Sequence, residues 1–247
     1  MDLNLIFEIF SNLPRQGPGD NISTRKAYSF LKDLPPKPNI LDIGCGTGMQ
    51  TLEIAKMTDG KIIAIDFHQP FLDELTQKAE ILNLIDKIEA LNLSMFDLDF
   101  DKDSFDVIWS EGAVYIYGFE NALRDWQMYL QNKGYFIFSE VCWFKEDIPE
   151  ELRNFWIKEY PTIKSIKKNL ELINKYNLKI VAHFKLPESS WWDNLYTPLE
   201  KNIENLQIKY SDDKVKLEEI NQMSIEIDMF RKYSDYYGYN FFIMQKL

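Results

Sequence analysis

The sequence has few cysteines and no long apolar run. Its 247 residues include two cysteines, Cys45 and Cys142, which are too few for a disulfide framework or a cysteine zinc site. Its apolar runs, such as those at residues 62–65 and 135–139, fall far short of the ~18 residues that a membrane helix needs. The first ten residues carry acids and no basic stretch, unlike a signal peptide. We therefore expect a protein of the reducing cytoplasm, with no membrane partner and no metal site.

Positive charge is also scarce. The chain has 28 lysines and arginines against 39 aspartates and glutamates, a formal net charge of −11. A field of that sign repels the phosphates of a nucleic acid. The basic residues between 164 and 179 follow an amphipathic helical pattern, which is typical of a solvated helix face. The sequence therefore predicts no nucleic-acid partner.

The chain alternates short β-rich runs with longer helical runs from residue 39 onward, which predicts a parallel α/β sheet. The predicted strands are residues 39–43, 61–66, 88–93, 105–110, 134–141, 179–186 and 237–246, and the predicted helices are residues 49–57, 70–82, 119–130 and 163–176. A turn at residues 132–134 is expected to precede the fifth strand. We expect residues 1–36 to form an N-terminal helical arm and residues 37–186 to form the core. Residues 187–236 are expected to form an insertion, and residues 237–247 the last strand. We expect one domain with a seven-stranded, mostly parallel sheet that has helices on both faces.

The most informative segment is a glycine-rich loop between the first strand and the helix after it. Three of the ten glycines in the chain stand here at alternate positions, which is more than a tight turn requires. The spacing departs from the dinucleotide-binding fingerprint, which needs a glycine where Met49 stands. Asp42 precedes the loop, and a carboxylate there disfavours a pyrophosphate and favours a cationic nucleoside.

The segment Asp42-x-Gly44-Cys45-Gly46-Thr47-Gly48 resembles the first motif of class I S-adenosylmethionine-dependent methyltransferases. The resemblance continues at Asp66, where the family places an acid on the ribose hydroxyls, at Asp106 and at residues 133–138. It covers about residues 22–186 and the last strand, and it is greatest for the small-molecule, "type 11"-like branch. It implies a Rossmann-like fold, S-adenosylmethionine as cofactor and S-adenosylhomocysteine as product. The cofactor-binding residues that it implies are Asp42, Gly44, Cys45, Gly46, Thr47, Gly48, Asp66, Phe67, Ser94, Met95 and Ser110.

One position departs from the family pattern. The family usually carries an acid at the end of the third strand that receives the adenine amino group, and here that position is Ser94. Either Ser94 or Asp97 is the expected adenine partner. Met95 and Phe96 are the expected apolar contacts of the adenine face.

The acceptor side has weaker signals. The resemblance places acceptor residues after the fourth and fifth strands and in the appended segments. Glu111 is the one candidate for a catalytic acid or base, and a capping or cofactor-loop role is its alternative. The candidate substrate-binding residues are Glu111, Tyr115, Trp143, Trp191 and Trp192, with residues 187–236 as a cover over the substrate.

The aromatic residues favour a planar or apolar small molecule, or a methylated cation held by cation–π contact. Their alternative role is to pack the insertion onto the sheet. The turn at residues 15–19 is either a lid hinge or an ordinary loop.

Three functions are consistent with these features. The first is an S-adenosylmethionine-dependent methyltransferase that acts on a small molecule. The second is a non-catalytic S-adenosylmethionine-binding module, and the third is a nicotinamide-dependent oxidoreductase. The sequence does not decide between a monomer and a homo-oligomer.

Overall fold

Eight strands form one mixed sheet within residues 2–247, the part of the chain that the computed structural model describes. They are β1 (Asn39–Ile43), β2 (Lys61–Asp66), β3 (Ile88–Asn92), β4 (Phe105–Glu111), β5 (Leu130–Trp143), β6 (Lys164–Ser165), β7 (Leu178–Lys185) and β8 (Tyr237–Lys246). Their order is β3-β2-β1-β4-β5-β8-β7, with β6 beside β5. Neighbouring strands are parallel, except that β8 is antiparallel to both β5 and β7.

Helices cover both faces of this sheet. They are α1 (Leu3–Ile9), α2 (Asn21–Tyr28), α3 (Met49–Met57), α4 (Gln69–Ile81), α5 (Val114–Tyr117), α6 (Phe119–Asp125), α7 (Glu150–Glu159), α8 (Ile166–Ile173), α9 (Ser189–Trp191), α10 (Thr197–Lys209) and α11 (Lys214–Tyr233). A π-helical turn, Trp192–Tyr196, joins α9 to α10. The predicted fold class, a Rossmann-like sheet with helices on both faces, is confirmed. None of the helices in residues 2–247 is long and apolar enough to cross a membrane.

Local sequence signals fix several helix starts. The Asp20 side chain accepts a hydrogen bond from the Ser23 amide at 2.7 Å and caps α2. Asp213 caps α11 in the same way, through the Lys216 amide at 3.1 Å. Pro70 lies in the first turn of α4, where the missing amide hydrogen costs nothing.

Two apolar layers hold the helices to the sheet. On β1, Ile40 points into one layer and Leu41 and Ile43 point into the other, as the alternation of side chains along a strand requires. The first layer contains the buried faces of α3 and α4, the N-terminal arm and the insertion. The second layer contains those of α6 and α8. The core strands are therefore buried on both sides, which is typical of a parallel sheet.

The fifth strand is longer than predicted. It begins at Leu130 rather than Gly134, and the helix before it ends at Asp125 and continues as a 3-10 turn, Trp126–Tyr129. The predicted turn at residues 132–134 is a register shift within β5, with Lys133 in the left-handed region at φ +65°. The extra residues pair with Phe105 of β4, which is why the strand extends through them.

β5 also extends past its neighbour at the carboxyl end. Its last register pair with β4 joins Ser139 to Glu111. Beyond that point the short strand β6 takes the place of β4 and pairs with Cys142 and Trp143. The chain leaves β1 and β4 in opposite directions across the sheet, and such a switch point forms a ligand crevice in open α/β folds.

The insertion anchors the N-terminal arm. The Asn202 side chain on α10 donates hydrogen bonds to the carbonyl oxygens of Ile9 at 3.0 Å and Ser11 at 2.9 Å. The Tyr210 hydroxyl donates to the Glu8 carboxylate at 2.7 Å, and Lys209 forms an ion pair with the same carboxylate. Helix α10 of the insertion therefore packs on the arm.

Candidate functional site

A cavity of about 380 Å³ lies at the carboxyl ends of β1, β2 and β4. This volume is within the usual range for a small-molecule site. Asp66, Phe67 and Met95 lie at one end of the cavity, and Glu111 and Tyr115 lie at the other. The site therefore stands at the switch point of the sheet.

The glycine loop presents its backbone to the cavity. Gly44 and Gly46 both line the cavity and have φ angles of +73° and +53°. A Cβ on Gly44 would lie 2.5 Å from the Ala113 Cβ, and one on Gly46 would lie 2.7 Å from Gln16 Oε1. The amides of Gly44 and Cys45 donate to the Ile65 carbonyl oxygen at 2.9 and 3.0 Å. Only glycine fits this backbone and these contacts.

The third glycine has a packing role. Gly48 has φ +81° and begins α3, and a Cβ there would lie 2.1 Å from Leu75 Cδ1 on α4. Neither Gly48 nor the buried Thr47 lines the cavity. The Thr47 amide donates to Gln16 Oε1 at 2.9 Å, so the arm closes over this part of the loop. In this structure Gly48 serves helix packing and Thr47 joins the arm to the loop, and their predicted cofactor contacts stay predictions.

Asp66 is held as a hydrogen-bond acceptor at the end of β2. Its two carboxylate oxygens accept from the amides of Gly46 and His68, each at 3.0 Å. Burial raises the pKa of Asp66, and these two amides partly offset that effect. The carboxylate lines the cavity next to Phe67, which is 52% exposed.

Three other predicted cofactor contacts lie outside the cavity lining. Asp42 is fully buried behind the loop, where it accepts a hydrogen bond from the Thr51 hydroxyl at 2.5 Å, and burial raises the pKa of Asp42 to about 7. The buried Ser110 hydroxyl donates to the Ile43 carbonyl oxygen at 2.9 Å. Ser94 accepts from the Phe96 amide at 3.2 Å. Each of these side chains has a hydrogen-bond partner within the chain, while Asp42 Oδ1 has none, and their predicted cofactor contacts stay predictions.

Glu111 joins the arm to the sheet. Its carboxylate accepts hydrogen bonds from Arg15 at 2.9 Å, Thr24 at 2.8 Å and Trp109 at 2.9 Å. Burial raises the pKa of Glu111 and outweighs the opposing effect of Arg15. Both side chains of the Arg15–Glu111 ion pair are almost fully buried, at 4% and 2% exposed. Three donors engage the carboxylate, so the structure favours a positioning role for Glu111.

The sequence analysis missed the contribution of the arm to the cavity. The arm lines the cavity with four apolar residues, Leu3, Ile6, Phe7 and Phe10. It also lines the cavity with Gln16, which lies beside the glycine loop. The Phe7 ring stacks on His68 with 3.5 Å between ring centroids and 9° between planes. The four apolar residues follow the spacing i, i+3, i+4, i+7, an amphipathic helical signal that could have identified them. The residue 15–19 turn contributes Arg15 and Gln16 to the site.

Three of the predicted substrate-binding residues lie away from the cavity. Trp191 is 2% exposed and stacks on Phe230 of α11, with ring centroids 4.2 Å apart. Trp192 packs on Phe230, and Trp143 packs edge-on against Trp156. None of the three lines the cavity, because each binds the appended helices to the sheet. Tyr115 does line it.

A family model described as a methyltransferase domain matches residues 36–203, more than half of the chain. The chain belongs to this family. Its cofactor is S-adenosylmethionine, as the resemblance of the glycine loop implies.

Curated relatives match parts of this methyltransferase. EEF1A lysine methyltransferase 2 of Homo sapiens is 27% identical over 141 residues, which are 53% of this chain and 60% of the relative. Sterol 24-C-methyltransferase erg6 of Aspergillus fumigatus is 26% identical over 109 residues, 44% of this chain and 28% of the relative. Demethylmenaquinone methyltransferase of Lactobacillus johnsonii is 34% identical over 83 residues, 32% of this chain and 34% of the relative. The chain thus spans less than two thirds of each of these proteins.

Solved structures match the whole methyltransferase fold. A SAM-dependent methyltransferase from Geobacter sulfurreducens, in complex with S-adenosyl-L-homocysteine, has a TM-score of 0.85 and 17% identity, over 99% of this chain and 98% of that chain. YjhP from E. coli has a TM-score of 0.86 and 16% identity, over 99% of this chain and 100% of that chain. At these identities the likeness shows the fold.

The observed cavity fits S-adenosylmethionine. Its floor is a backbone from which side chains are excluded at Gly44 and Gly46. Asp66 is a hydrogen-bond acceptor at the end of β2, and Phe67 and Met95 are apolar walls beside it. These features provide a close approach for a nucleoside, an acceptor for its hydroxyls and a surface for its base.

Proposed function

We propose that this chain catalyses transfer of the methyl group of S-adenosylmethionine to a small-molecule acceptor. The observation that carries the proposal is the cradle formed by Gly44 and Gly46 beside the Asp66 carboxylate, within a cavity covered by the arm. Gly44, Cys45 and Gly46 would hold the amino-acid part of the cofactor. Asp66 would accept hydrogen bonds from the ribose hydroxyls.

The adenine end is proposed to be apolar. Phe67 and Met95 lie in the cavity near Asp66 and would pack on the two sides of the base. Because Ser94 is engaged by the Phe96 amide, the base would be recognised mainly through these apolar contacts.

S-adenosylmethionine supplies a methyl carbon bonded to a positively charged sulfur, which is a good leaving group. The chain then has to align the acceptor with that carbon and exclude water, which is catalysis by proximity. The arm excludes water through Leu3, Ile6, Phe7 and Phe10. The Arg15–Glu111 ion pair holds the arm in place at the Tyr115 end of the cavity.

A small molecule is the proposed class of acceptor. The arm covers the cavity, which favours a small molecule over a protein segment. The relatives named as sterol and demethylmenaquinone methyltransferases support the same class. The buried, unpaired Cys45 and Cys142 support a cytoplasmic location as part of the proposal.

The proposal is tested by isothermal titration of the chain with S-adenosylhomocysteine, S-adenosylmethionine and NAD. We expect binding of the first two only, and loss of about a hundredfold in affinity for Gly44→Ala, ~2.7 kcal/mol. In the double variant Gly44→Ala/Ala113→Gly the facing methyl group is removed, so part of the affinity should return. NAD binding would instead support the oxidoreductase alternative.

Turnover separates an enzyme from a binding module. The chain is incubated with radiolabelled S-adenosylmethionine and a panel of small-molecule acceptors, with Gly44→Ala as the negative control. Label transferred by the unmodified chain and lost in the variant supports the enzyme. Tight cofactor binding without label transfer to any acceptor would support the non-catalytic module.

A further inference from the structure

A buried carboxylate, a half-buried carboxylate and four tyrosines lie near the Tyr115 end of the cavity. We call Glu140, Glu226, Tyr115, Tyr160, Tyr196 and Tyr239 the acid–tyrosine cluster. Tyr239 experiences the charges of Tyr115, of the two glutamates and of Tyr160, so each of these four groups lies near Tyr239. The Tyr196 hydroxyl donates a hydrogen bond to Glu226 at 2.8 Å.

The cluster adjoins the cavity through Tyr115. This residue lines the cavity and keeps 40% of its surface exposed, while its hydroxyl end is buried. Its ring packs edge-on against that of Tyr160, with centroids 5.9 Å apart. Burial, and then the charges of Glu226 and Glu140, raise the pKa of Tyr115 to about 12. Tyr115 is therefore a wall shared by the cavity and the cluster.

The position in the sheet is where an acceptor would meet the cofactor. Glu140 follows directly after Ser139, the last β5 residue that pairs with β4. It therefore stands just past the end of β4, beside the crevice that holds the glycine loop. Glu226 reaches the same place from α11 of the insertion.

The cluster has unused hydrogen-bonding capacity. Glu140 is 1% exposed, and its Oε2 atom has no hydrogen-bond partner. Three other buried atoms also have none: Asn240 Oδ1, Tyr237 OH, which lies near Glu226, and Trp156 Nε1. Asn240 is the register partner of Glu140 on β8, and the rings of Trp156 and Tyr237 lie 5.0 Å apart. Unpaired buried polar atoms cost free energy unless a ligand satisfies them.

Positive charge is also missing around the two carboxylates. Within residues 2–247 neither Glu140 nor Glu226 forms a salt bridge, although Glu111 at the other wall has Arg15. Burial raises the pKa of both groups; at Glu140 a hydrogen bond with Tyr160 and then the charge of Lys164 offset part of this rise, and at Glu226 a hydrogen bond with Tyr196 does so. The free chain avoids a buried charge at Glu140 by retaining a proton there up to a pH of about 8, and a ligand that brings a cation favours the carboxylate form.

We propose that the acid–tyrosine cluster binds the methyl acceptor and that the acceptor is a small molecule with a basic amine. An ammonium group supplies both the missing charge and donors for Glu140 Oε2 and Asn240 Oδ1. The surrounding aromatic faces attract a cation as well. The inference rests on the proposed function and specifies its substrate class.

These groups account for every proton and electron pair in the methyl transfer. The ammonium binds to Glu140 in its carboxylate form, after the Glu140 proton has gone to solvent, and then gives one of its own protons to that carboxylate, which leaves a lone pair on nitrogen. That lone pair forms the new bond to the methyl carbon as the bond from carbon to sulfur breaks. The electron pair of the broken bond stays on sulfur, which becomes the neutral thioether of S-adenosylhomocysteine.

The test compares cations with neutral molecules of the same shape. The chain is saturated with S-adenosylhomocysteine and titrated calorimetrically with choline, 3,3-dimethylbutan-1-ol, benzylamine and benzyl alcohol. We expect the cation of at least one pair to bind about tenfold more tightly than its neutral partner. Equal affinities within both pairs overturn the inference without any variant.

Variants then assign the preference to the cluster. Glu140→Gln and Glu226→Gln should each reduce cation affinity about tenfold and leave the S-adenosylhomocysteine affinity within about threefold. The matched control is Glu159→Gln, which removes the same charge from an exposed position nearby. An equal loss of cation affinity in the control and in both cluster variants would show a long-range charge effect and overturn the inference. Failure of S-adenosylhomocysteine to bind the unmodified chain would count against the proposed function instead.

Discussion

The cavity and the acid–tyrosine cluster differ in how their carboxylates are partnered. In the cavity lining, Asp66 accepts two backbone amides and Glu111 accepts three side-chain donors, including Arg15. In the cluster, Glu140 keeps one oxygen without a partner, and neither it nor Glu226 has a salt bridge within residues 2–247. The cavity carboxylates are partnered by the chain itself, whereas the cluster has groups that a ligand could complete.

This difference predicts opposite responses to removal of charge. A buried charge that has a partner cannot be removed without leaving the partner alone, which is costly. A buried carboxylate without a cation is itself the unfavourable group, so its removal relieves a cost. The following substitutions test this contrast and the assignment of residues to the two regions, from the largest expected effect to the smallest.

Arg15→Met should lower the free energy of unfolding by about 3–5 kcal/mol, because Glu111 is left buried without its cation. Chemical denaturation measures the loss. The control is Arg124→Met, which removes an exposed arginine paired with Asp125 and should cost at most about 1 kcal/mol. Similar losses in the two variants would mean that the buried ion pair does not hold the arm on the sheet.

Trp191→Ala should also lower the free energy of unfolding by about 3–5 kcal/mol, because it removes a buried ring from the core. S-adenosylhomocysteine affinity should stay within about threefold, ~0.7 kcal/mol. Thermal melts and calorimetric titration of one preparation measure both. Unchanged stability with loss of acceptor binding would return Trp191 to the substrate-binding role that the sequence suggested.

Asp66→Ala should weaken S-adenosylmethionine binding by about 1.5–3 kcal/mol, because charge-assisted hydrogen bonds to the ribose are lost. The affinity for a 2′-deoxy analogue should fall less. Asp73→Ala, an exposed carboxylate on α4, is the control and should have no effect. Equal losses for the two ligands would point to general damage to the glycine loop, which Asp66 also supports through the Gly46 amide.

Glu140→Gln should change the pH dependence of stability. Burial raises the pKa of Glu140 from 4.5 to about 8, and the neighbouring Tyr160 and Lys164 offset this only in part. Between these values the folded chain retains a proton that the unfolded chain has lost, so stability falls as pH rises, by at most about 1.4 kcal/mol per pH unit. The variant should lose this slope above pH 4.5, whereas Asp42 contributes equally to both curves. Parallel denaturation curves at pH 5–8 would show that Glu140 is not buried as described.

The sequence predicted the fold well wherever a local signal was strong. The bounds of β1, β2 and β8 and of α3 are as predicted, since each is a buried run or a periodic stretch between clear breakers. The predicted length of β5 was wrong. The glycine at residue 134 suggested a turn, but this segment lies within the strand, where the register with β4 shifts. Pairing with Phe105 overrode the local preference.

Part of the cavity lining was predictable from the sequence, and the acid–tyrosine cluster was not. Gly44, Gly46 and Asp66 belong to short segments whose spacing carries chemical meaning, and all three line the cavity. The acid–tyrosine cluster is assembled from residues between 115 and 239, on six separate elements and loops, so no spacing in the sequence could show it. The tryptophan pair at residues 191–192 gave the stronger signal, yet it serves packing.

The antiparallel strand β8 has a consequence for the order of folding. It lies between β5 and β7, and within residues 2–247 it is the sole strand that pairs with β7. The strands that carry the glycine loop and Asp66 can pair from residues 39–111 alone, whereas β7 cannot join the sheet until residues 237–246 are in place. Contacts of long sequence separation form slowly because they must close a large loop first. We therefore expect the nucleoside-binding half to acquire protection from hydrogen exchange early, and the acid–tyrosine cluster, with Tyr239 on β8, to be completed last.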